Sequence, residues 1–118
     1  KQMIIFPAGL CSRKIDGVIQ DRAWTKTFIV KSKESKRAIV PVHFIGRNSN
    51  RFYFVARLCT ILKLKTNLAM FLLPDEFYKA RNSKFTVIFG KPIPAETFDN
   101  SRTPLEWASV VRKTVYKL

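Results

Sequence analysis

Residues 1–14 read KQMIIFPAGLCSRK, an apolar run that leads into a Pro–Gly turn and ends on a hydroxyl and two cations. The run 3–6 is continuously apolar, which is typical of a strand buried on both faces of a mostly parallel sheet. Pro7 fixes φ and lacks an amide donor, so we expect the strand to end there. Gly9 tolerates backbone angles that other residues avoid, so the chain can turn tightly beyond the strand's carboxyl end, where open α/β sheets bind ligands. The pattern predicts an anion-binding loop.

Beyond this stretch, strand-like apolar runs alternate with amphipathic stretches typical of helices. The predicted elements are helices over 22–34, over 50–64, starting at 74 and starting at 104, and strands over 38–46 and 84–89. Asp21 is expected to cap the first helix, either Ser49 or Asn50 to start the second, and Thr103 with Glu106 to open the last. The element order predicts an α/β fold, with a mixed, mostly parallel sheet flanked by helices.

Composition limits the possible classes of protein. The 118 residues suit a single domain spanning 1–118, and a hydrophobic content of 47% excludes a disordered tail. Twenty-two Lys and Arg against eight Asp and Glu give a net charge of +14, a field that selects anionic partners such as lipid surfaces or nucleic acids. Cys11 and Cys59 are far apart and lack CxxC spacing, so neither a disulfide framework nor a zinc site is indicated.

Three sequence blocks carry a family resemblance. The segment 6–13, FPAGLCSR, resembles the Phe-Pro-Glu-Gly-Thr-Arg-Ser block of the glycerolipid acyltransferases, which include lysophosphatidate acyltransferases and many bacterial chains labelled hemolysins. The segment 39–42, IVPV, is similar to the following Val-Pro-Val block of that family, and 89–94, FGKPIP, to its closing Gly-x-Pro-Ile segment. The ordered set covers residues 3–94, and it implies a partial acyltransferase-type α/β sandwich.

The catalytic motif of that family is not found in this sequence. Members use a His-x-x-x-x-Asp box upstream of the Phe-Pro block, with His as general base, whereas here the only histidine, His43, is followed five residues later by Asn48. A lone His without an acidic partner suits an ordinary, partly buried strand residue. We therefore expect residues 1–118 to be the C-terminal portion of an acyltransferase domain, with no catalytic residue, no metal site and no activity on its own.

The resemblance implies a function in membrane phospholipid synthesis. The complete protein would transfer an acyl group to a lysolipid, with acyl-CoA or acyl-carrier protein as co-substrate and no bound cofactor. This portion would bind the acceptor headgroup, and the residues implied are Phe6, Pro7, Gly9, Ser12, Arg13 and Lys14. Gly9 as a plain turn residue and Ser12 as a helix cap remain alternatives.

Two departures from the family block concern the acceptor. Ala8 and Cys11 stand where members carry the Glu that shapes the acceptor pocket and the Arg that meets the glycerol phosphate. A methyl group and a thiol cannot bind phosphate as a guanidinium does, although Arg13 and Lys14 remain available. We hypothesise that the acceptor is another monoacylated lipid, such as an amino-acid lipid with a carboxylate for Arg13.

The positive charge also predicts where the protein acts. We expect peripheral attachment to an anionic membrane surface at the cytoplasmic face of the inner membrane, with about 1 kcal/mol for each cation near the surface. The stretch 52–73 is nearly long enough to span a bilayer, but three cations interrupt it, each costing about 2.5–3.5 kcal/mol near the membrane centre. Two alternatives remain for this segment: a helix in the headgroup layer, or a helix packed on the sheet with its remaining apolar surface covered elsewhere in the protein.

Two rival functions fit less well. A basic nucleic-acid-binding module would use Phe52, Tyr53 and Phe54 beside Arg51 as a stacking platform, but no RNP, KH or zinc-knuckle pattern is present, and these aromatics suit a core. A literal pore-forming hemolysin is disfavoured because the sequence shows no secretory signal, glycine-rich repeat or uninterrupted membrane span.

Overall fold

The computed structural model describes residues 2–66 and 68–118, which fall into two compact units. The first unit contains the chain up to Cys11, Asp21–Ile45 and Val87–Leu118, and the second contains Ser12–Gln20 and Gly46–Thr86. The helices are α1 Thr27–Ser35, α2 Asn50–Ile61, α3 Leu73–Lys79 and α4 Pro104–Tyr116, and the strands are β1 Arg13–Ile15, β2 Val18–Gln20, β3 Val42–Ile45 and β4 Thr86–Phe89. Short 3-10 helices cover Leu68–Leu72, Ala80–Asn82 and Ala95–Thr97.

The structure confirms a mixed α/β fold, but the expected mostly parallel sheet is wrong. Strands β1 and β2 pair with each other in antiparallel register, and β3 pairs with β4. Ile39 and Ile93 extend the second pairing as an antiparallel bridge, with N–H to carbonyl distances of 2.9 and 2.7 Å. The physical reason is clearest for β1 and β2, because only a two-residue turn joins them, whereas a parallel pair needs a crossover of a dozen or more residues.

The apolar run Met3–Phe6 does not form the expected buried strand. It has no strand assignment, and Ile4 and Phe6 are 84% and 82% exposed. An apolar strand is stable only when another strand takes its backbone hydrogen bonds and other elements cover its faces. No strand within residues 2–66 and 68–118 pairs with this run, so the run does not form a β-strand despite its apolar sequence.

The core of the first unit forms where α1 packs on α4. Its buried members are Phe28, Ile29, Phe98, Ala108 and Val111. Trp24 packs against this core with its ring edge-on to Phe28, the two ring centres lying 5.8 Å apart.

The predicted helix 22–34 begins late, at Thr27. Asp21 does not cap it: the Asp21 carboxylate accepts a hydrogen bond from Trp24 Nε1 at 3.2 Å, and the Asp21 carbonyl accepts one from Arg112 at 2.8 Å. The Thr25 amide donates instead to the carbonyl of Pro7 at 2.9 Å. The two long-range bonds, from Arg112 to Asp21 and from Thr25 to Pro7, bind residues 21–25 to other parts of the unit, and the local helical pattern of these residues is not followed.

The second unit is built around α2, whose start was predicted correctly. Ser49 caps α2, since its Oγ accepts a hydrogen bond from the Phe52 amide at 3.3 Å. The inward face buries Phe52, Tyr53, Ala56 and Cys59. Because Phe52 and Tyr53 are buried, they cannot serve as the stacking platform of a nucleic-acid-binding module.

The hairpin β1–β2 was missed by sequence reasoning, although a signal was present. Asp16 and Gly17 form its two-residue turn with φ of +49° and +81°. Two successive residues with positive φ are typical of the type I′ turn, which Asp-Gly favours between apolar residues such as Ile15 and Val18.

Helix α4 begins with the predicted capping box. Thr103 Oγ1 accepts a hydrogen bond from the Glu106 amide at 3.3 Å, and the Glu106 carboxylate accepts one from the Thr103 amide at 2.7 Å. In the described part of the chain, none of the helices is both long enough and apolar enough to span a bilayer.

Candidate acceptor-binding loop

The Pro–Gly turn that follows the apolar run is formed as predicted. The Gly9 amide donates to the carbonyl of Phe6 at 3.1 Å, and Gly9 has φ of +68°. The hydrogen bond from Thr25 to Pro7 fixes the turn to the rest of the first unit. A Cβ atom at Gly9 would meet nothing within 4 Å among the described residues, so it is the positive φ and not crowding that favours glycine here.

Ser12, Arg13 and Lys14 belong to the second unit, where they begin the hairpin. Arg13 pairs with Gln20 across the hairpin, and its guanidinium carbon lies 5.6 Å from the centre of the Phe52 ring. Arg13 Nη1 also donates to the Ser12 carbonyl at 3.4 Å. Arg13 is half-buried, whereas Lys14 and Ile15 of the same strand are exposed.

The six predicted site residues thus fall into two groups. Phe6, Pro7 and Gly9 are brought together by the turn of the first unit, and Ser12, Arg13 and Lys14 by the hairpin of the second. Sequence reasoning did not identify Phe52 as the aromatic partner of Arg13, because this contact joins residues that are distant in the chain. The Asp-Gly turn was the signal that could have placed Arg13 on a strand.

The second and third sequence blocks meet in the structure. The Gly90 amide donates to the carbonyl of Pro41 at 2.8 Å, two residues from the Ile39–Ile93 bridge. Two segments almost fifty residues apart are therefore joined by backbone hydrogen bonds, which gives the Val-Pro and Gly-x-Pro-Ile motifs a shared structural role.

His43 lies in β3 and is half-buried, as predicted for an ordinary strand residue. Its ring centre is 5.8 Å from that of Tyr116. Its Nδ1 atom is buried and makes no hydrogen bond within residues 2–66 and 68–118. Within the described residues no carboxylate orients the imidazole through that atom, so the hydrogen-bonded pair typical of a general base is not formed among them.

The described residues contain no cluster of three or more His, Cys, Asp or Glu side chains that could hold a metal ion. Both cysteines are free thiols, with Cys11 half-buried and Cys59 buried. The side chains of Ser12, Arg13 and Lys14 supply a hydroxyl and two positive charges, which suit the binding of an anion.

The turn after the apolar run, the start of the hairpin and the paired Val-Pro and Gly-x-Pro-Ile segments are the places in the structure where the three blocks that resemble the glycerolipid acyltransferases lie. The family model described as Acyltransferase matches residues 1–118, so the chain belongs to this family.

Two curated relatives are similar to this chain over nearly its whole length. A lyso-glycine lipid O-acyltransferase of Bacteroides thetaiotaomicron is 59% identical over 117 residues, 99% of this chain and 43% of the relative. A lyso-glycine lipid O-acyltransferase of Phocaeicola vulgatus is 53% identical over 116 residues, 98% of this chain and 42% of the relative. The chain thus spans about two fifths of the length of these relatives. No solved structure shows a significant match.

Proposed function

We propose that the complete protein is a lysolipid O-acyltransferase whose acceptor is a lyso-glycine lipid, and that this chain binds the acceptor headgroup. The observation that carries the proposal is the fixed position of Arg13, a strand residue whose guanidinium lies over the Phe52 ring. The names of the two relatives and their identity of 53% or more over this region support it.

The acceptor preference follows from the cations that the loop retains. A glycine joined to a fatty chain through nitrogen keeps a free carboxylate, and a guanidinium binds a carboxylate with two parallel hydrogen bonds. The Phe52 ring gives the Arg13 guanidinium a cation–π contact, and the guanidinium carries five N–H donors in a planar fork. Exposed Lys14 adds positive charge, and Ser12 a hydroxyl.

The reaction is acyl transfer to oxygen. The acceptor hydroxyl oxygen attacks the thioester carbonyl carbon of the donor, the C–S bond breaks, the thiol leaves, and the hydroxyl proton passes to a general base. The family resemblance assigns that base to a His-x-x-x-x-Asp box, which residues 1–118 do not contain. The contribution of this chain is to hold the acceptor so that its hydroxyl is presented to the donor.

We propose acyl-CoA or acyl-carrier protein as the acyl donor, since both are anionic and this chain carries a net charge of +14.

The direct test compares two acceptors with the complete protein. We expect kcat/KM to be higher for a lyso-glycine lipid than for a lysophosphatidate of the same chain length. Arg13→Gln should lower kcat/KM for the lyso-glycine lipid by roughly 10- to 100-fold, because a hydrogen-bonded charge pair contributes about 1.5–3 kcal/mol. Most of the loss should be in KM.

The matched controls are Lys33→Gln, which removes an exposed cation from α1, and Arg13→Lys, which keeps charge without the planar fork. We expect Lys33→Gln to leave both acceptors unaffected and Arg13→Lys to fall between the wild type and Arg13→Gln. A preference for lysophosphatidate, or an Arg13→Gln variant with unchanged kinetics, would overturn the proposal.

A further inference from the structure

Helix α2 presents an apolar stripe on the side opposite its packed face. Phe54, Leu58 and Ile61 are spaced four and three residues apart, so they lie on one line along the helix. They are 66%, 43% and 64% exposed. The other face of the helix fills the interior of the second unit, and the described residues leave each side chain of the stripe at least 43% exposed.

Two cations border this stripe. Arg51 is three residues before Phe54, and Arg57 is three residues after Phe54 and four before Ile61, so both are helical neighbours of the apolar side chains. Both are exposed, and neither forms an ion pair within the described residues. We call the set Arg51, Phe54, Arg57, Leu58 and Ile61 the α2 outer face.

The chain around the α2 outer face has the same character. Residues 46–74 contain five cations and no Asp or Glu. Leu62 and Leu64 follow directly after α2 and are exposed, with Lys63 and Lys65 between and after them. Asp75, the first acid beyond this stretch, is paired with Lys79 at 2.7 Å. The hydrogen bond from Lys79 and, more weakly, the charge of Arg51 lower the pKa of Asp75, so of the two cations on the face only Arg51 acts on this acid.

We propose that the α2 outer face docks on an anionic lipid bilayer, with its apolar side chains among the upper acyl chains and its cations at the headgroup phosphates. The inference rests on the proposed function only in that the acceptor is a membrane lipid. Charge complementarity favours lipid over a covering protein segment, because a protein cover would bury Arg51 and Arg57 and would have to supply acids to pair with them. At a bilayer, the long Arg side chains reach the phosphates while their stems cover the apolar stripe.

The first experiment locates the face directly. Phe54→Trp in the complete protein is mixed with vesicles of phosphatidylglycerol and phosphatidylcholine in which the phosphatidylcholine is brominated in its acyl chains. We expect quenching of tryptophan fluorescence in excess of that of the wild type, which already contains Trp24 and Trp107. The control is Leu105→Trp, an exposed position of the first unit, which should give no excess quenching.

The second experiment measures vesicle binding by flotation. Phe54→Ser with Ile61→Ser should reduce binding to anionic vesicles by roughly tenfold or more, whereas Leu105→Ser should not. Arg51→Gln and Arg57→Gln should each reduce it by about fivefold, with an effect that salt diminishes. None of these variants should change activity on lyso-glycine lipid dispersed in detergent.

The outcomes separate the two proposals. Absence of excess quenching in the Phe54→Trp variant, equal quenching in the Leu105→Trp variant, or wild-type vesicle binding by the Ser variants would overturn the docking inference and indicate a protein cover. Should the Ser variants not fold, the quenching comparison alone decides. Excess quenching in the Phe54→Trp variant, with no acyl transfer to lyso-glycine lipid by the complete protein, would support the docking surface and reject the proposed function. Acyl transfer to lyso-glycine lipid without excess quenching would support the proposed function and reject the docking surface.

Discussion

Glu76 should be the most important single polar residue for the stability of the second unit. This residue of α3 is 9% exposed, and its carboxylate accepts hydrogen bonds from the amide and the hydroxyl of Ser49, each at 2.5 Å. Ser49 in turn caps α2 through Phe52. Glu76 therefore fixes the start of the helix that carries the α2 outer face and the aromatic partner of Arg13.

The expected cost follows from the two hydrogen bonds. Glu76→Gln keeps one acceptor oxygen but places an NH₂ group against a donor of Ser49, so we expect a loss of about 2 kcal/mol in the free energy of unfolding. Glu76→Leu leaves the Ser49 amide without its partner and should cost about 3 kcal/mol. Ser49→Ala, which removes the cap and one of the two bonds, should cost about 1–2 kcal/mol.

The assay is urea unfolding of the complete protein, combined with hydrogen exchange of the α2 amides. We expect Glu76→Gln to accelerate exchange across Asn50–Ile61 and to leave Pro104–Tyr116 unchanged. Glu96→Gln, at an exposed glutamate, is the control and should shift neither measurement. A Glu76→Gln stability within about 0.5 kcal/mol of wild type, or the absence of coupling between Ser49→Ala and Glu76→Gln in a double-mutant cycle, would refute the reasoning.

Three further predictions test the fold. Gly17→Ala should destabilise by about 1 kcal/mol in urea unfolding, since φ is +81° and a Cβ atom there would meet nothing within 4 Å, so the cost is purely conformational. Ile29→Ala, at a fully buried position of the first unit, should cost about 2–5 kcal/mol and lower the thermal midpoint; an effect below 1 kcal/mol would contradict the assigned core. Hydrogen bonds from the Thr103 amide, and then its hydroxyl, hold the pKa of Glu106 below its ordinary value. Because the pKa of Glu106 is lower in the folded state, its carboxylate contributes fully to the free energy of unfolding above the pKa of the unfolded state. This contribution is lost as the pH falls through the pKa of the folded state. The difference in free energy of unfolding between wild type and Thr103→Ala should therefore shrink when the pH is lowered, as measured by urea unfolding in acid.

The correct sequence predictions share a local cause. Ser49 and Thr103 identify helix starts because a capping hydroxyl bonds to an amide three residues on, and both partners are visible in a short window. The prediction of where α2 begins succeeded for the same reason. The Asp16–Gly17 turn was equally local, and reading it as a hairpin turn would have placed Arg13 on a strand from the sequence alone.

The wrong predictions concern pairing over long distances. The sequence of the run Met3–Phe6 does not indicate which strand would pair with it. Within the described residues, no strand pairs with this run. Likewise, the start of α1 depends on a bond between Thr25 and Pro7, eighteen positions earlier in the sequence. Apolar periodicity indicates which residues tend to be buried. Whether two strands pair in parallel or antiparallel depends on the partner strand, which lies outside a short window of sequence.

The sequence says more about the choice of acceptor than about whether strands pair in parallel or antiparallel. Family membership constrains the reaction class, whereas the acceptor depends on which charges the loop presents, and here Ala8 and Cys11 replace the acid and the guanidinium of the usual block. The structure adds a contact that the sequence could not supply: the guanidinium of Arg13, a residue of the hairpin, lies over the Phe52 ring. A fixed guanidinium loses less conformational entropy on binding a carboxylate than a mobile one does, so the same cation can select its ligand more sharply. That is why replacing Phe52 by Leu, with Arg13 intact, should weaken acceptor binding in the same direction as Arg13→Lys.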